Sequence, residues 1–393
     1  MLIKKVVVTL LLIACAAAPS YGFQKPELKR VSEFKKNKLQ DISPDGRILL
    51  FYGTSQPVRT YSIPIGFNSY NSKPADDALR LVERTTGREV GRIKVEFYPE
   101  DIQFIAGTHR VIYKEPKLVN SKLEWRLKIW DVENGEAREC SNENVMARSF
   151  TLVDEQHGLT LLRRAEGDQF SILSLPDCRQ GTIGPVDGSN LDARVDGNIA
   201  VSPDRKTFAY VATNKLIVRN GATLEVIKQT TELNLGQNPL YTPDGKFLVI
   251  LATNTIRDKP ETKRFLLFYD TRNYEIVKRV DVTHWRPPVL SEYTTAQSNY
   301  LGTAMAIGPD SRTLAVGYTR EKANLFFTTE TAEVVIYDLE TGAEIARASH
   351  PKIKQRPDDP WAASIGKLVF TPDGSQLLST TNDTLVWNIT GTN

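Results

Sequence analysis

The chain has 393 residues, 40% apolar and 25% charged, a globular composition that argues against disorder and suffices for one large all-β domain or two smaller ones. Fifty Lys and Arg against forty-seven Asp and Glu leave a formal charge of +3. That balance gives no support to nucleic acid as a partner.

Lys4 and Lys5 precede an apolar run from Val6 to Ala18, followed by small residues through Gly22. This pattern predicts a signal peptide over residues 1–22 and an exported mature chain. The run is about thirteen residues, short of the roughly 20 a membrane-spanning helix needs, so no transmembrane span is expected in the mature protein. Two processing routes stay open. Ser20-Tyr21-Gly22 fits signal peptidase cleavage, whereas Leu12-Ile13-Ala14-Cys15 resembles a bacterial lipobox, with Cys15 the candidate lipidation site. The address is therefore periplasmic, membrane-anchored by lipid, or secreted. Without Cys15 the chain keeps Cys140 and Cys178, a candidate disulfide in an oxidising compartment, with two free thiols as the alternative.

Beyond the leader, residues 27–393 read as one repeat array. Glu27 to Phe34 is a strand with no unit of its own. The phrase Ser43-Pro44-Asp45-Gly46 then recurs as Ser202-Pro203-Asp204-Arg205, Thr242-Pro243-Asp244-Gly245, Gly308-Pro309-Asp310-Ser311 and Thr371-Pro372-Asp373-Gly374. Pro presets φ for a type I turn, Asp bonds its own backbone and Gly takes the exit conformation, so each copy is a hairpin corner. Ala106-Gly107-Thr108-His109 and Glu155-Gln156-His157-Gly158 occupy the same place in two further units. The strands that follow, such as Phe208 to Ala212, Phe247 to Ala252 and Leu314 to Tyr318, are short and apolar and are predicted as inner strands. A later phrase, Ile129-Trp130-Asp131, Phe268-Tyr269-Asp270 or Ile336-Tyr337-Asp338, ends in a second tight hairpin. Seven corners predict seven four-stranded blades. The last unit ends after its third strand, Thr384 to Ile389, so the N-terminal strand is expected to complete it and remove the free sheet edges.

On these phrases the chain resembles the WD40 and YVTN group of β-propellers over essentially its whole mature length. Trp130-Asp131 stands for the WD dipeptide, Thr207 to Lys228 looks like a YVTN repeat, and the Pro-Asp-Gly corners resemble the periplasmic TolB group. The resemblance implies an all-β, seven-bladed propeller of antiparallel blades. It implies no single activity, since such propellers serve many. Only one unit has Trp-Asp and no Gly-His pair opens a blade, so the buried Asp-His-Ser-Trp network of that group has no signature here.

In such a propeller every long insertion falls on one face: Thr54 to Ala78, Lys114 to Arg126, Asn254 to Arg264, Thr283 to Tyr300, Thr319 to Glu333 and Ser349 to Ala363. They come from blades 1, 2, 5 and 6, a continuous arc once the ring closes, whereas the opposite face has only tight turns. Long loops in a compact domain are where function concentrates. The arc carries Arg59, Tyr61, Trp125, Trp285, Tyr293, Phe326, Phe327 and Trp361, residue types that anchor interfaces, and these are the candidate binding residues.

Catalytic signatures are absent. The motif set for nucleophile elbows, zinc hydrolases, phosphate loops and dinucleotide folds finds no match, and His109, His157, His284 and His350 do not converge. A metal on His284 and His350 would need Asp358 or Asp359, and neither metal nor cofactor is expected. The sequence thus favours a non-enzymatic scaffold that binds a protein or a cell-envelope component. The alternatives are a channel-mouth hydrolase, lactonase or lyase, and a propeller subunit of a periplasmic redox enzyme.

Overall fold

The computed structural model describes residues 27–53, 61–62, 68–69, 78–119, 122–140, 147–164, 167–186, 195–212, 215–230, 239–254, 263–283, 285, 304–323, 328–351, 353–354 and 365–390. They form an all-β, seven-bladed propeller of four-stranded antiparallel sheets. Among the described residues no helix is long and apolar enough to cross a membrane.

The corner phrases build the turns that the chemistry of their residues requires. In the first, Gly46 N donates to Ser43 O at 2.7 Å, Ser43 Oγ donates to Asp45 Oδ1 at 2.6 Å, and Ile48 N donates back to Ser43 Oγ at 2.8 Å. Hydroxyl and carboxylate meet in the same way at Ser202 and Asp204, Thr242 and Asp244, and Thr371 and Asp373. The hydroxyls of Ser43 and Thr371 hold Asp45 and Asp373 below the usual carboxylate range. The strand after each corner is second from the channel. Phe208 to Ala212 lies in Thr207–Ala212, and Val195–Val201, ahead of the corner, is the innermost strand. Second place is what counting Thr384 to Ile389 as a third strand requires, and a second strand is covered on both faces, as its apolar run demands.

Glu27–Phe34 pairs with Thr384–Thr390 as the outer strand of blade 7, so the ring closes on its own N-terminal strand. The apolar core is distributed between neighbouring blades. Leu39, Leu49, Phe51 and Val82 of blade 1, for example, meet Leu378 and Val386 of blade 7, and each of the other six junctions has its own cluster. Twisted sheets set radially around an axis leave wedges that side chains fill.

Cys140 and Cys178 are disulfide-bonded, with Cα atoms 5.1 Å apart. The bond ties the end of blade 2 to the last turn of blade 3, across a sequence separation of 38. Exchanging both cysteines for serine should lower the free energy of unfolding by up to about 4 kcal/mol, the chain entropy released by opening such a loop. A denaturant titration of the double variant against the oxidised protein measures it.

Blade 7 holds a polar network that no phrase announced. His350 Nε2 and Trp387 Nε1 converge on Ser379 Oγ, each at 2.7 Å, and all three side chains are buried. Asp383, in the turn between the second and third strands, draws the His350 pKa upward against burial. In blade 2, which carries Trp130-Asp131, Tyr113 stands at the position of Ser379. Trp130 Nε1 is left with no hydrogen-bond partner among the described residues.

Candidate functional site

Two features of the ring are candidates for function: the central channel and the long-loop face.

The seven inner strands enclose a channel cavity of about 980 Å³. An inner strand has no neighbour on its channel side, so its outward backbone groups need other partners. Side chains from the preceding blade supply them. Asp41 Oδ2 accepts from Phe104 N at 2.8 Å and Asp101 Oδ2 accepts from Phe150 N at 2.9 Å. Gln103 accepts from Leu152 N at 3.1 Å and donates to Phe150 O at 3.2 Å. The wall carboxylates are therefore engaged in holding blades 1 to 3 together. Burial pushes the Asp41 carboxyl up, while the charge of Lys367 pulls it down. Asp101 stands at φ 51°, in an irregularity of the inner strand between Glu100 and Gln103.

At the long-loop mouth Asp101 belongs to a compact ionic group. Lys114, 2% exposed, lies 3.1 Å from both Glu100 and Asp101, and its ammonium sits 4.7 Å from the centre of the Trp125 ring. Beside it Glu115, 3% exposed, pairs with Lys128 at 2.6 Å and accepts from Phe97 N at 3.1 Å. Buried charges persist only when paired in this manner.

The histidines have separate tasks. His109 pairs with Glu133 on an exposed turn, His157 pairs with Asp154, and His350 is 4% exposed on Ser379. His350 is therefore a core residue, and a metal site shared with His284 on the long-loop face has no support from it. His284, Asp358 and Asp359 lie outside the described residues. Among the described residues no three His, Cys, Asp or Glu stand together as metal ligands.

On the long-loop face two of the insertions are continued strands. In blade 2, Arg110–Val119 pairs with Lys122–Asp131 up to Val119 opposite Lys122. In blade 6, Thr313–Ala323 pairs with Thr328–Asp338 up to Ala323 opposite Thr328. The inner strand of blade 6 stops at Met305 opposite Val316 and the outer at Ser349 opposite Glu333. The hairpin beyond them projects by about five residues a strand, roughly 17 Å at strand rise. Ile353–Lys354 lies along it, opposite Thr329 and Glu330. The insertion of blade 1 contains a small ladder of Tyr61–Ser62 with Asn68–Ser69.

The aromatic anchors divide accordingly. Trp285 is 2% exposed, stacks on Tyr337 at 3.9 Å between ring centres and donates from Nε1 to Gly342 O at 3.1 Å. It is a core residue between blades 5 and 6, which corrects its placement among surface anchors. Trp125 is half-buried against Lys114. Tyr61 lies in the small ladder of blade 1. Arg59, Tyr293, Phe326, Phe327 and Trp361 lie outside the described residues, as do Cys15 and the leader. Sequence reading missed Glu100, Asp101 and Lys114, whose only signal was Lys114-Glu115 directly after the apolar run Val111 to Tyr113.

No family model and no curated protein matches the chain. Solved structures do match, 808 chains in all, and a shared fold by itself assigns no activity. Hydrazine synthase from Kuenenia stuttgartiensis aligns with 91% of this chain and 96% of its own at a TM-score of 0.56 and 13% identity. The likeness concerns the propeller fold.

Proposed function

We propose that residues 27–393 form the mature domain of an exported, non-enzymatic propeller that binds a protein or a cell-envelope component through its long-loop face. The observation that carries this reading is the projecting blade 6 hairpin. Its rungs run out to Ala323 and Thr328, and the four residues joining them include Phe326 and Phe327. A hairpin held by its own ladder presents its tip at little ordering cost, as an interface anchor requires. The disulfide supports export, since such bonds persist outside the reducing cytosol.

Affinity capture from an envelope extract tests the proposal, with the Phe326→Ala/Phe327→Ala variant beside the wild type. A partner retained by the wild type and lost from the variant, at an unchanged unfolding temperature, is the expected result. Equal retention by both proteins would remove the hairpin tip as the anchor.

A channel-mouth enzyme is the second reading, and the Lys114, Glu100 and Asp101 group beside the channel favours it. A hydrolase, lactonase or lyase of this kind would lose turnover in Glu100→Gln, whose more exposed carboxylate can be neutralised with the unfolding temperature retained. A subunit of a redox enzyme is the third reading.

A further inference from the structure

The face opposite the long loops is built of tight turns, yet a cavity of about 560 Å³ opens there between blades 3 and 4. Its two functional walls are His157 with Asp154 from blade 3 and Arg205 from blade 4.

Arg205 occupies the last position of its corner, which is Gly46, Gly245 and Gly374 in three of the other copies, at φ 71°, 71° and 70°. Arg205 adopts φ 64° there, a left-handed conformation strained for any residue with a Cβ. Of the other side chains in this conformation, Leu224, Tyr274 and Cys178 are buried, Asp101 is ion-paired with Lys114, Ser311 Oγ accepts from Asp244 N at 3.0 Å, and Lys36 is exposed in a turn outside both cavities. Arg205 is exposed. Its Nη1 donates across the cleft to Val153 O, which fixes the guanidinium at the cavity wall with further N–H groups to offer. No carboxylate among the described residues pairs with it. What sets Arg205 apart is that the strained position carries a guanidinium into a cleft, and strained residues at ligand clefts are candidates for function.

Facing it, His157 Nδ1 stands 3.0 Å from both oxygens of Asp154. That carboxylate is held by Gln156 N and His157 N, each at 2.7 Å, and although burial raises its pKa these bonds bring it below the usual range. An ionised acceptor on Nδ1 places the imidazole proton there and leaves the Nε2 lone pair as the other acceptor. Ser174 lies opposite His157 in the ladder, but its hydroxyl donates to Asp177, and Asp177 also takes Arg179 at 3.2 Å. The hydroxyl is thus committed, and the site is arranged to bind rather than to cleave. Arg179, also in the lining, is taken by Asp177, so what the cleft offers a ligand is the Arg205 guanidinium and one acceptor nitrogen.

We propose that the cleft between blades 3 and 4 binds a sugar acid, with Arg205 taking the carboxylate and His157 Nε2 accepting from a neighbouring hydroxyl. The planar fork of arginine matches a carboxylate. A phosphate would bring close to two negative charges towards Asp154 and Asp177 and is the poorer fit. The volume lies within the ordinary range of small-molecule sites. The site is separate from the long-loop face and stands independently of the function proposed for it.

Isothermal titration of the full chain with D-glucuronate tests this, with glucose and inorganic phosphate as controls. Glucuronate is expected to bind in the millimolar range, with both controls weaker by about tenfold or more. Arg205→Gly should weaken glucuronate binding by about tenfold or more while the unfolding temperature holds or rises, because Gly is unstrained at that corner. Arg205→Lys, which keeps the charge and loses the fork, should also bind weakly at a near-native unfolding temperature. The proposal is overturned if glucuronate does not bind, if phosphate binds as tightly, or if Arg205→Gly keeps the affinity. A lowered unfolding temperature at unchanged affinity would reduce Arg205 to a clamp on Val153.

Discussion

Trp285→Ala is expected to lower the free energy of unfolding by about 3 to 5 kcal/mol, the cost of emptying a buried large aromatic site. The ring is sandwiched between blades, stacked on Tyr337 within the cluster that also contains Val282, Leu314 and Val335. Removing it opens a cavity and leaves Gly342 O without its donor. Trp285→Phe keeps most of the stacking surface and loses the N–H, so it should cost less, about 1 to 2 kcal/mol. Urea unfolding of both variants gives the numbers. An unchanged midpoint for Trp285→Ala, together with loss of a captured partner, would return Trp285 to the surface and contradict its packing.

Ser379→Ala should cost about 2 to 5 kcal/mol, because one buried hydroxyl satisfies both His350 Nε2 and Trp387 Nε1. The same network makes stability depend on pH. Burial holds His350 at about 4 against the ordinary 6.5, with Asp383 opposing and Arg30 reinforcing the shift. Between those values the unfolded chain binds the proton and the folded chain does not. The stability present above about pH 6.5 is therefore lost as the pH falls, by roughly 3 kcal/mol once pH 4 is reached. His350→Gln should flatten that part of the profile, and a slope that survives the substitution would assign it to other groups.

The two residues show why parts of the molecule were illegible in the sequence. Trp285 sits in an insertion, beside His284 and Arg286 and before two prolines, a context that resembles a surface loop. Its burial depends on Tyr337 and Gly342, more than fifty residues away, and chain distance carries no signal of that. His350 precedes Pro351 rather than following Gly, and Trp387 precedes Asn388 rather than Asp, so the familiar dipeptides are missing where the network exists. Trp130-Asp131 has the dipeptide and lacks the network, because Tyr113 replaces the hydroxyl that Trp130 would need. In the arms of blades 2 and 6, charged and threonine-rich stretches looked like loops because strands outside the core have no apolar period to display.

The seven blades, their corners and the closure of the ring by Glu27–Phe34 were all legible along the chain. Each is a local property, a turn whose Pro, Asp and Gly set its own dihedrals or an apolar strand that must find two covering faces. Blade packing decided that Trp285 and His350 are core, that Asp41, Asp101 and Gln103 fasten one blade to the next, and that Lys114 is held by Glu100 and Asp101. It also set Arg205 across a cleft from His157. These depend on the angle and spacing at which neighbouring blades pack, quantities that no run of consecutive residues encodes.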